Sequence, residues 1–324
     1  MDLSIVIICR NEEAAIGACI ESLLEETSGI EREIILVDSA STDRTVEIAK
    51  KYPVAIVCID PKAMLTPSAG RYLGTLRATG EYILFVDGDM ILIRDWIQKA
   101  LACFGDASVG AVAGRLFRVF PGEQPNYNHG DASPLGPVDR LGGAGLYRRS
   151  VLGKAGSFNP FVKGEEEREL GYRIIRSGYK ILRIEAPMVF HMEKRRTKSE
   201  IDENAGHFTG VGQMLRRYGL RRISWDLLWS HRRVFNAHVA LLLFLAALAF
   251  FLALGNIFLF VAAVGIVAVC FLLLILVKGK EKVFLMLRSR LLILANIIKG
   301  MRLGIPDASD YNPRTSTFSM AGKR

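Results

Sequence analysis

Cysteine is scarce and unpatterned in this 324-residue chain: Cys9, Cys19, Cys58, Cys103 and Cys270 form no CxxC pair and are odd in number. That excludes a disulfide framework and a structural zinc site, and it fits a reducing cytosol. No GxxxxGK[ST] run occurs, so a P-loop nucleotide triphosphatase is excluded. No GxGxxG follows the first apolar run, so the dinucleotide fingerprint is missing too. No basic segment precedes Leu3, where the first strand-like run begins, and no signal peptide is expected. Internal repeats are absent.

The longest absence is of charge. Val234–Val277 spans 44 residues without one Asp, Glu, Lys or Arg. A helix crosses a bilayer core in about 20 residues, so this run is long enough to cross twice, as Val234–Leu254 and Ile257–Val277 around the turn-prone Gly255-Asn256. Arg232 and Arg233 precede it, and Lys278, Lys280 and Lys282 follow. The positive-inside rule then predicts a multi-pass protein of the inner membrane with its polar domain in the cytoplasm. A buried helical hairpin of a soluble protein is the alternative.

The net charge of +9 invites a nucleic-acid reading, and its distribution removes it. Residues 1–190 carry 22 basic against 25 acidic side chains, residues 191–233 carry 10 against 5, and residues 278–324 carry 10 against 3. The basicity flanks the apolar run. Residues 216–233, with Arg216, Arg217, Arg221, Arg222, Trp225 and Trp229, read as a basic interfacial helix. Val283–Ile298 is apolar but interrupted by Arg288 and Arg290, so residues 278–304 read as an amphipathic interfacial helix, with a third crossing as the alternative. Residues 305–324 read as a flexible tail.

Residues 1–190 alternate short β-branched runs with amphipathic helical patterns, the rhythm of βαβ units around a mainly parallel sheet. Ser4–Ile8, Glu33–Val37, Val54–Val57 and Tyr82–Val86 read as strands. Glu12–Leu24, Thr45–Lys51 and a segment opened by Pro67 read as helices. Further on come a strand over Ala111–Val119, a long loop over Pro121–Pro137, a helix over Glu165–Ser177 and a strand over Tyr179–Ile184. The polar domain is expected to extend to about residue 215.

Open α/β sheets bind ligands beyond the carboxyl ends of their strands. Three strands end there informatively, in Cys9-Arg10-Asn11-Glu12, in Asp38-Ser-Ala-Ser-Thr-Asp43 and in Asp87-Gly88-Asp89. Asp87 and Asp89 bracket a glycine after a buried strand, an arrangement that could share a hard cation, Mg2+ or Mn2+, and leave positions open for phosphate oxygens. Such a cation would make a nucleotide diphosphate a better leaving group.

These motifs resemble family 2 glycosyltransferases of the GT-A fold. The matching residues are Ser4 through Glu13, Ile35 through Asp43, Gly70-Arg71-Tyr-Leu-Gly74, Tyr82 through Asp89, Tyr147-Arg148-Arg149 and Glu165 through Arg173. The resemblance implies inverting transfer of a sugar from a UDP-, GDP- or dTDP-sugar to an acceptor hydroxyl. It places Cys9, Asn11, Glu12, Asp38, Arg71, Asp87 and Gly88 against the nucleotide sugar and makes Asp87 and Asp89 the metal pair, with His191 as a third ligand. An ordinary surface histidine is the alternative for His191, and an exposed helix cation for Arg71. The general base falls on Glu167 or Glu166, where the family has Asp, while Glu165 complements the helix dipole. Gln213-Met-Leu-Arg216-Arg217 resembles the QxxRW element of processive synthases but has Arg217 at the Trp position, which favours a basic interfacial helix and addition of a single sugar. Tethering implies a lipid-linked or membrane-associated glycan acceptor. A nucleotidyltransferase of similar fold and a catalytically silent membrane scaffold are the rival readings.

Overall fold

The computed structural model of the chain describes residues 2–193, 198–219, 221–232, scattered positions between 236 and 265, and 280–318. The chain divides into two compact units, Met1–Arg196 with Ile305–Arg324, and Thr197–Gly304.

In the first unit, β1 (Leu3–Cys9) is buried along its whole length, as a strand covered on both faces must be. It pairs in parallel with β2 (Arg32–Asp38) on one side and β4 (Tyr82–Asp87) on the other, and β3 (Ala55–Ile59) extends the parallel set beyond β2. The crossovers carry α1 (Ile16–Glu26), α2 (Thr45–Ala49) and α3 (Pro67–Arg77). Ile16, Cys19, Ile20 and Leu23 form the buried stripe of α1 at helical spacing.

Past β4 the parallel rhythm ends. The strands β5 (Met90–Leu92), β6 (Val109–Val119), β7 (Gly136–Pro137), β8 (Gly145–Arg148) and β9 (Lys180–Met192) are accompanied by α4 (Trp96–Cys103), α5 (Arg149–Ala155) and α6 (Glu166–Arg176). β8 runs antiparallel between β4 and β6, while β6 and β9 are parallel to each other. The sheet is therefore mixed, which corrects the mainly parallel expectation: the chain returns to β4 by the short β8 and not by another crossover. β9 also runs eight residues past the expected end at Ile184, because its distal half pairs with β5 and the end of β6.

Residues 305–318 differ from the flexible tail expected of them. Here β10 (Thr315–Phe318) adds antiparallel to β3 and covers that edge of the sheet. The short polar segment lacks an apolar alternation, so its pairing is set by β3 and not by its own pattern.

The second unit contains α7 (Lys198–Tyr218), α8 (Arg222–Ser230) and α9 (Lys280–Leu303), with α7 packed on α9. The QxxRR element has a local task. Gln213 is buried and donates to the Gly304 carbonyl at 2.7 Å, and Arg216 donates to the Met301 carbonyl at 3.0 Å, so both satisfy carbonyls at the end of α9.

Among the described residues no helix is long and apolar enough to cross a membrane. The inner-membrane, multi-pass placement is corrected accordingly: no transmembrane helical hairpin is found among the described residues. Most positions of the two expected spans, Val234–Leu254 and Ile257–Val277, lie outside the described residues.

Candidate active site

Parallel register sets Cys9 beside Asp38 and Ile8 beside Asp87, so β1, β2 and β4 release the chain along one edge. A cleft of about 510 Å3 opens there. Cys9, Glu12, Arg71, Asp87, Gly88, Asp89, Glu166 and Glu167 line it, together with Arg10, Ser39, the Leu65–Pro67 wall and Gly143. Gly88 is required by close approach, since a Cβ there would stand 2.8 Å from the Cys9 side chain.

The turns after β1 and β2 are laced together. Asn11 donates its backbone N–H to Ser41 Oγ at 2.9 Å and accepts from the Thr42 N–H at 2.8 Å, while Glu12 donates its N–H to Thr45 Oγ1 at 2.8 Å. Asp38 is buried and accepts from the Ser41 N–H at 3.0 Å and from the Ser41 hydroxyl. Asp38 and Asn11 thus brace the rim, and neither lines the main cleft; Asp38 borders an adjoining hollow of about 460 Å3. Non-glycine residues with positive φ mark these turns and the entry to α6, namely Asn11 (57°), Ala40 (59°) and Glu165 (60°). Such backbone costs of order 1 kcal/mol or more per residue and concentrates at functional edges.

Arg71 is the hub of the cleft. Thr66 caps α3 by accepting from the Ala69 N–H at 3.0 Å, and Pro67 fills the first helical position, which sets Arg71 one turn into the helix. The buried guanidinium donates from Nη2 to Asp87 Oδ1 at 2.9 Å and to the Gly143 carbonyl at 3.3 Å. From Nη1 it donates to Glu166 Oε1 at 3.1 Å and lies 3.3 Å from Glu167 Oε1. It also sits over the Phe158 ring, 5.4 Å from the centroid. One cation therefore joins the strand-end aspartate to the two glutamates that open α6. Burial alone would lower its pKa, but Asp87, Glu167 and Glu166 outweigh burial and hold it raised.

Burial pushes Asp87 up to about 6, with Asp89 and Glu167 adding to the rise and Arg71 opposing it. Asp89 Oδ2 lies 3.3 Å from His191 Nε2, and that contact raises the histidine pKa against the cost of burial. The other oxygen, Asp89 Oδ1, is buried with no hydrogen-bond partner among the described residues. A buried acceptor left unmade is costly unless something supplies a positive charge or a donor. No group of three His, Cys, Asp or Glu side chains converges as a ready-made cage among the described residues. A carboxylate pair that leaves room for phosphate oxygens suits a hard cation such as Mg2+ better than a closed cage does. The donor set fits a divalent cation.

Of the three glutamates, Glu165 accepts from Arg168 Nε at 2.7 Å and stands outside the cleft lining. Glu166 is nearly sealed, at 8% side-chain exposure, whereas Glu167 is more open, at 19%. The sequence places sugar-pocket residues around Arg115–Gly145, a range that includes Gly143, whereas the Leu65–Pro67 wall escaped the reading. Gly142-Gly143 was the available signal for a close approach, and Pro67 was legible only as a helix start.

The fold is α/β and GT-A-like, built on a mixed sheet with an acidic cleft at its strand ends. In solved structures it resembles Staphylococcus aureus TarS 1–349 in complex with UDP-GlcNAc, at 17% identity and a TM-score of 0.55, covering 70% of this chain and 72% of that one. It likewise resembles the mannosyltransferase PcManGT from Pyrobaculum calidifontis in complex with GDP-Man and Mn2+, at 19% identity and a TM-score of 0.55, covering 92% and 86%. The model of glycosyl transferase family 2 matches residues 4–224, and the chain belongs to that family. Among curated relatives, the succinoglycan biosynthesis protein ExoA of Rhizobium meliloti is 26% identical over 194 residues, 55% of this chain and 59% of the relative. The poly(ribitol-phosphate) beta-glucosyltransferase of Bacillus spizizenii is 42% identical over 163 residues, 47% of this chain and 26% of the relative. The matched region spans from about a quarter to three-fifths of these relatives' lengths.

Proposed function

We propose that the chain is a metal-dependent, inverting glycosyltransferase that moves one sugar from a nucleoside-diphosphate sugar to an acceptor hydroxyl. The observation that carries this reading is the Arg71 bridge, which draws Asp87 and the glutamates of α6 to one cleft. UDP-GlcNAc and GDP-Man in the related structures support a nucleotide-sugar donor, and Mn2+ in one of them supports a cation. The names of the curated relatives support an acceptor in cell-envelope polysaccharide synthesis. The lipid-linked acceptor inferred from tethering loses its basis with the membrane placement.

Asp89 and Asp87 would hold Mg2+ or Mn2+, with His191 beside Asp89; when bound, the cation supplies charge neutralisation for the departing diphosphate. Glu167 takes the proton from the acceptor hydroxyl as that oxygen attacks the anomeric carbon opposite the diphosphate. Glu166, sealed against Arg71, positions the guanidinium and has less freedom to meet an acceptor. Arg71 keeps the acidic cleft from repelling its own carboxylates apart and does not transfer a proton.

Purified protein with Mn2+ is to be incubated with UDP-, GDP- and dTDP-sugars, and nucleoside diphosphate release measured. Glu167→Gln should lower turnover about 100-fold or more with donor affinity retained, as loss of a general base does. Asp89→Asn should abolish the metal-dependent part. Pyrophosphate in place of nucleoside diphosphate would select a nucleotidyltransferase, and full activity in both variants would refute the assignment.

A further inference from the structure

The cleft is walled partly by Leu65, Thr66 and Pro67, a short stretch that follows β3 and runs into the first residue of α3. Its nearest sequence neighbours do not account for how it is held. Tyr311, some 245 residues further along the chain, donates its hydroxyl to the Met64 carbonyl at 2.7 Å. The Tyr311 ring is buried, edge-on to Tyr72 of α3 at 6.3 Å and to Phe161 at 5.8 Å. Tyr72 directly follows Arg71.

A second set of bonds runs in the same direction. The Pro306 carbonyl accepts from Asn159 Nδ2 at 2.9 Å, and the Asn159 carbonyl accepts from the Ser68 hydroxyl at 2.6 Å. Thr66 donates its hydroxyl to the Pro160 carbonyl at 2.8 Å. The Arg314 carbonyl accepts from the Asp60 N–H at 3.0 Å, just before β10 joins β3. Residues 305–318 thus touch the 60–67 segment at Asp60 and Met64 and α3 at Tyr72, and reach Ser68 through Asn159. This segment lies outside residues 4–224, the part that carries the family likeness.

We infer that residues 305–318 act as a strap that sets the donor-side wall of the cleft, with Tyr311 as its positioning residue through Met64 and Tyr72. Tyr311 does not enter the cleft; it fixes the groups that do. The inference rests on the cleft being the nucleotide-sugar site. A wall held from outside is preorganised, and preorganisation is expressed in affinity more than in the chemical step. Donor KM is therefore the sensitive quantity, and kcat the insensitive one.

The test uses the full chain and three proteins: wild type, Tyr311→Phe and Tyr311→Ala. Tyr311→Phe deletes only the bond to Met64 and keeps both ring contacts. Removing one hydrogen bond should raise the KM for the preferred nucleotide sugar, and the Kd for its nucleoside diphosphate with Mn2+, by about 3- to 10-fold, with kcat within about two-fold. Tyr311→Ala should raise both constants further. Amide hydrogen exchange over residues 61–67, read without any nucleotide, should quicken in both variants. Unchanged KM and Kd in Tyr311→Ala would overturn the inference, as would unchanged exchange over 61–67. A fall in kcat alone at constant KM would also overturn it and leave Tyr311 a purely structural residue. Wild-type protein that binds no nucleoside diphosphate would instead overturn the glycosyl-transfer reading, while the exchange measurement would still decide whether the strap holds the wall.

Discussion

Replacing Arg71 by Met would leave the carboxylates of Asp87 and Glu166 without the cation that they share, and the cost can be worked from the contacts. Two hydrogen bonds to carboxylates are lost, at 2.9 Å and 3.1 Å, each contributing about 1.5–3 kcal/mol, along with the longer one to the Gly143 carbonyl. Breaking a buried ion pair from one side costs about 3–5 kcal/mol by an independent route. Asp87 retains 31% side-chain exposure and recovers some hydration, whereas Glu166, at 8%, does not. The loss should therefore sit near the lower end, at about 3–4 kcal/mol. Arg71→Lys keeps the charge, but a single ammonium cannot present two separated nitrogens to Asp87 and Glu166, so about half of that loss is expected. Urea unfolding measures the stability, and donor turnover measures the function, which should fall at least about 100-fold in the Met variant. A Met variant within about 1 kcal/mol of wild type and fully active would refute the hub.

Gly143→Ala would put a Cβ 2.5 Å from Asp87 Oδ2, so it should cost about 1–3 kcal/mol and lower donor turnover about ten-fold; thermal unfolding and steady-state kinetics check both. Burial alone would raise the Glu33 carboxyl, but hydrogen bonds from Ser4 and from the Thr79 N–H and hydroxyl outweigh it and hold it below the usual 4.5. A depressed folded pKa stabilises above the unfolded value and loses that contribution as pH falls through the folded one. Wild-type stability should accordingly drop faster than that of Glu33→Gln below about pH 4.5, and parallel curves from urea titrations across pH 3–6 would disprove it.

The strands that frame the cleft were legible because a buried parallel strand must be apolar on both faces, and Ile5 through Ile8 and Ile83 through Val86 are. Asp87, Gly88 and Asp89 were legible because carboxylates placed directly after such a strand have a fixed address at the sheet edge. The partnership of Arg71 with Glu166 was not, since 95 residues separate them and no local pattern encodes that distance. Asp38 was read as a ligand contact, and its bracing of its own turn through Ser41 was not read, since that bond lies within three residues and leaves no periodic signal. The antiparallel return through β8 was hidden because Gly145–Arg148 is only four residues long. β10 was hidden because Thr315–Phe318 has the composition of a loop and becomes a strand through its partner.

That last strand has a bearing on biosynthesis. Thr315 pairs with Ile59, so the outer ladder of β3 waits for residues made some 250 positions later. At roughly 5–20 residues per second, the delay is on the order of ten to fifty seconds. Throughout that interval a nascent chain offers an open row of amides and carbonyls to any neighbouring strand, and polysomes crowd such rows together. Slower synthesis of residues 60–314 should thus favour association between nascent chains, and chaperone demand should peak before the terminal segment emerges.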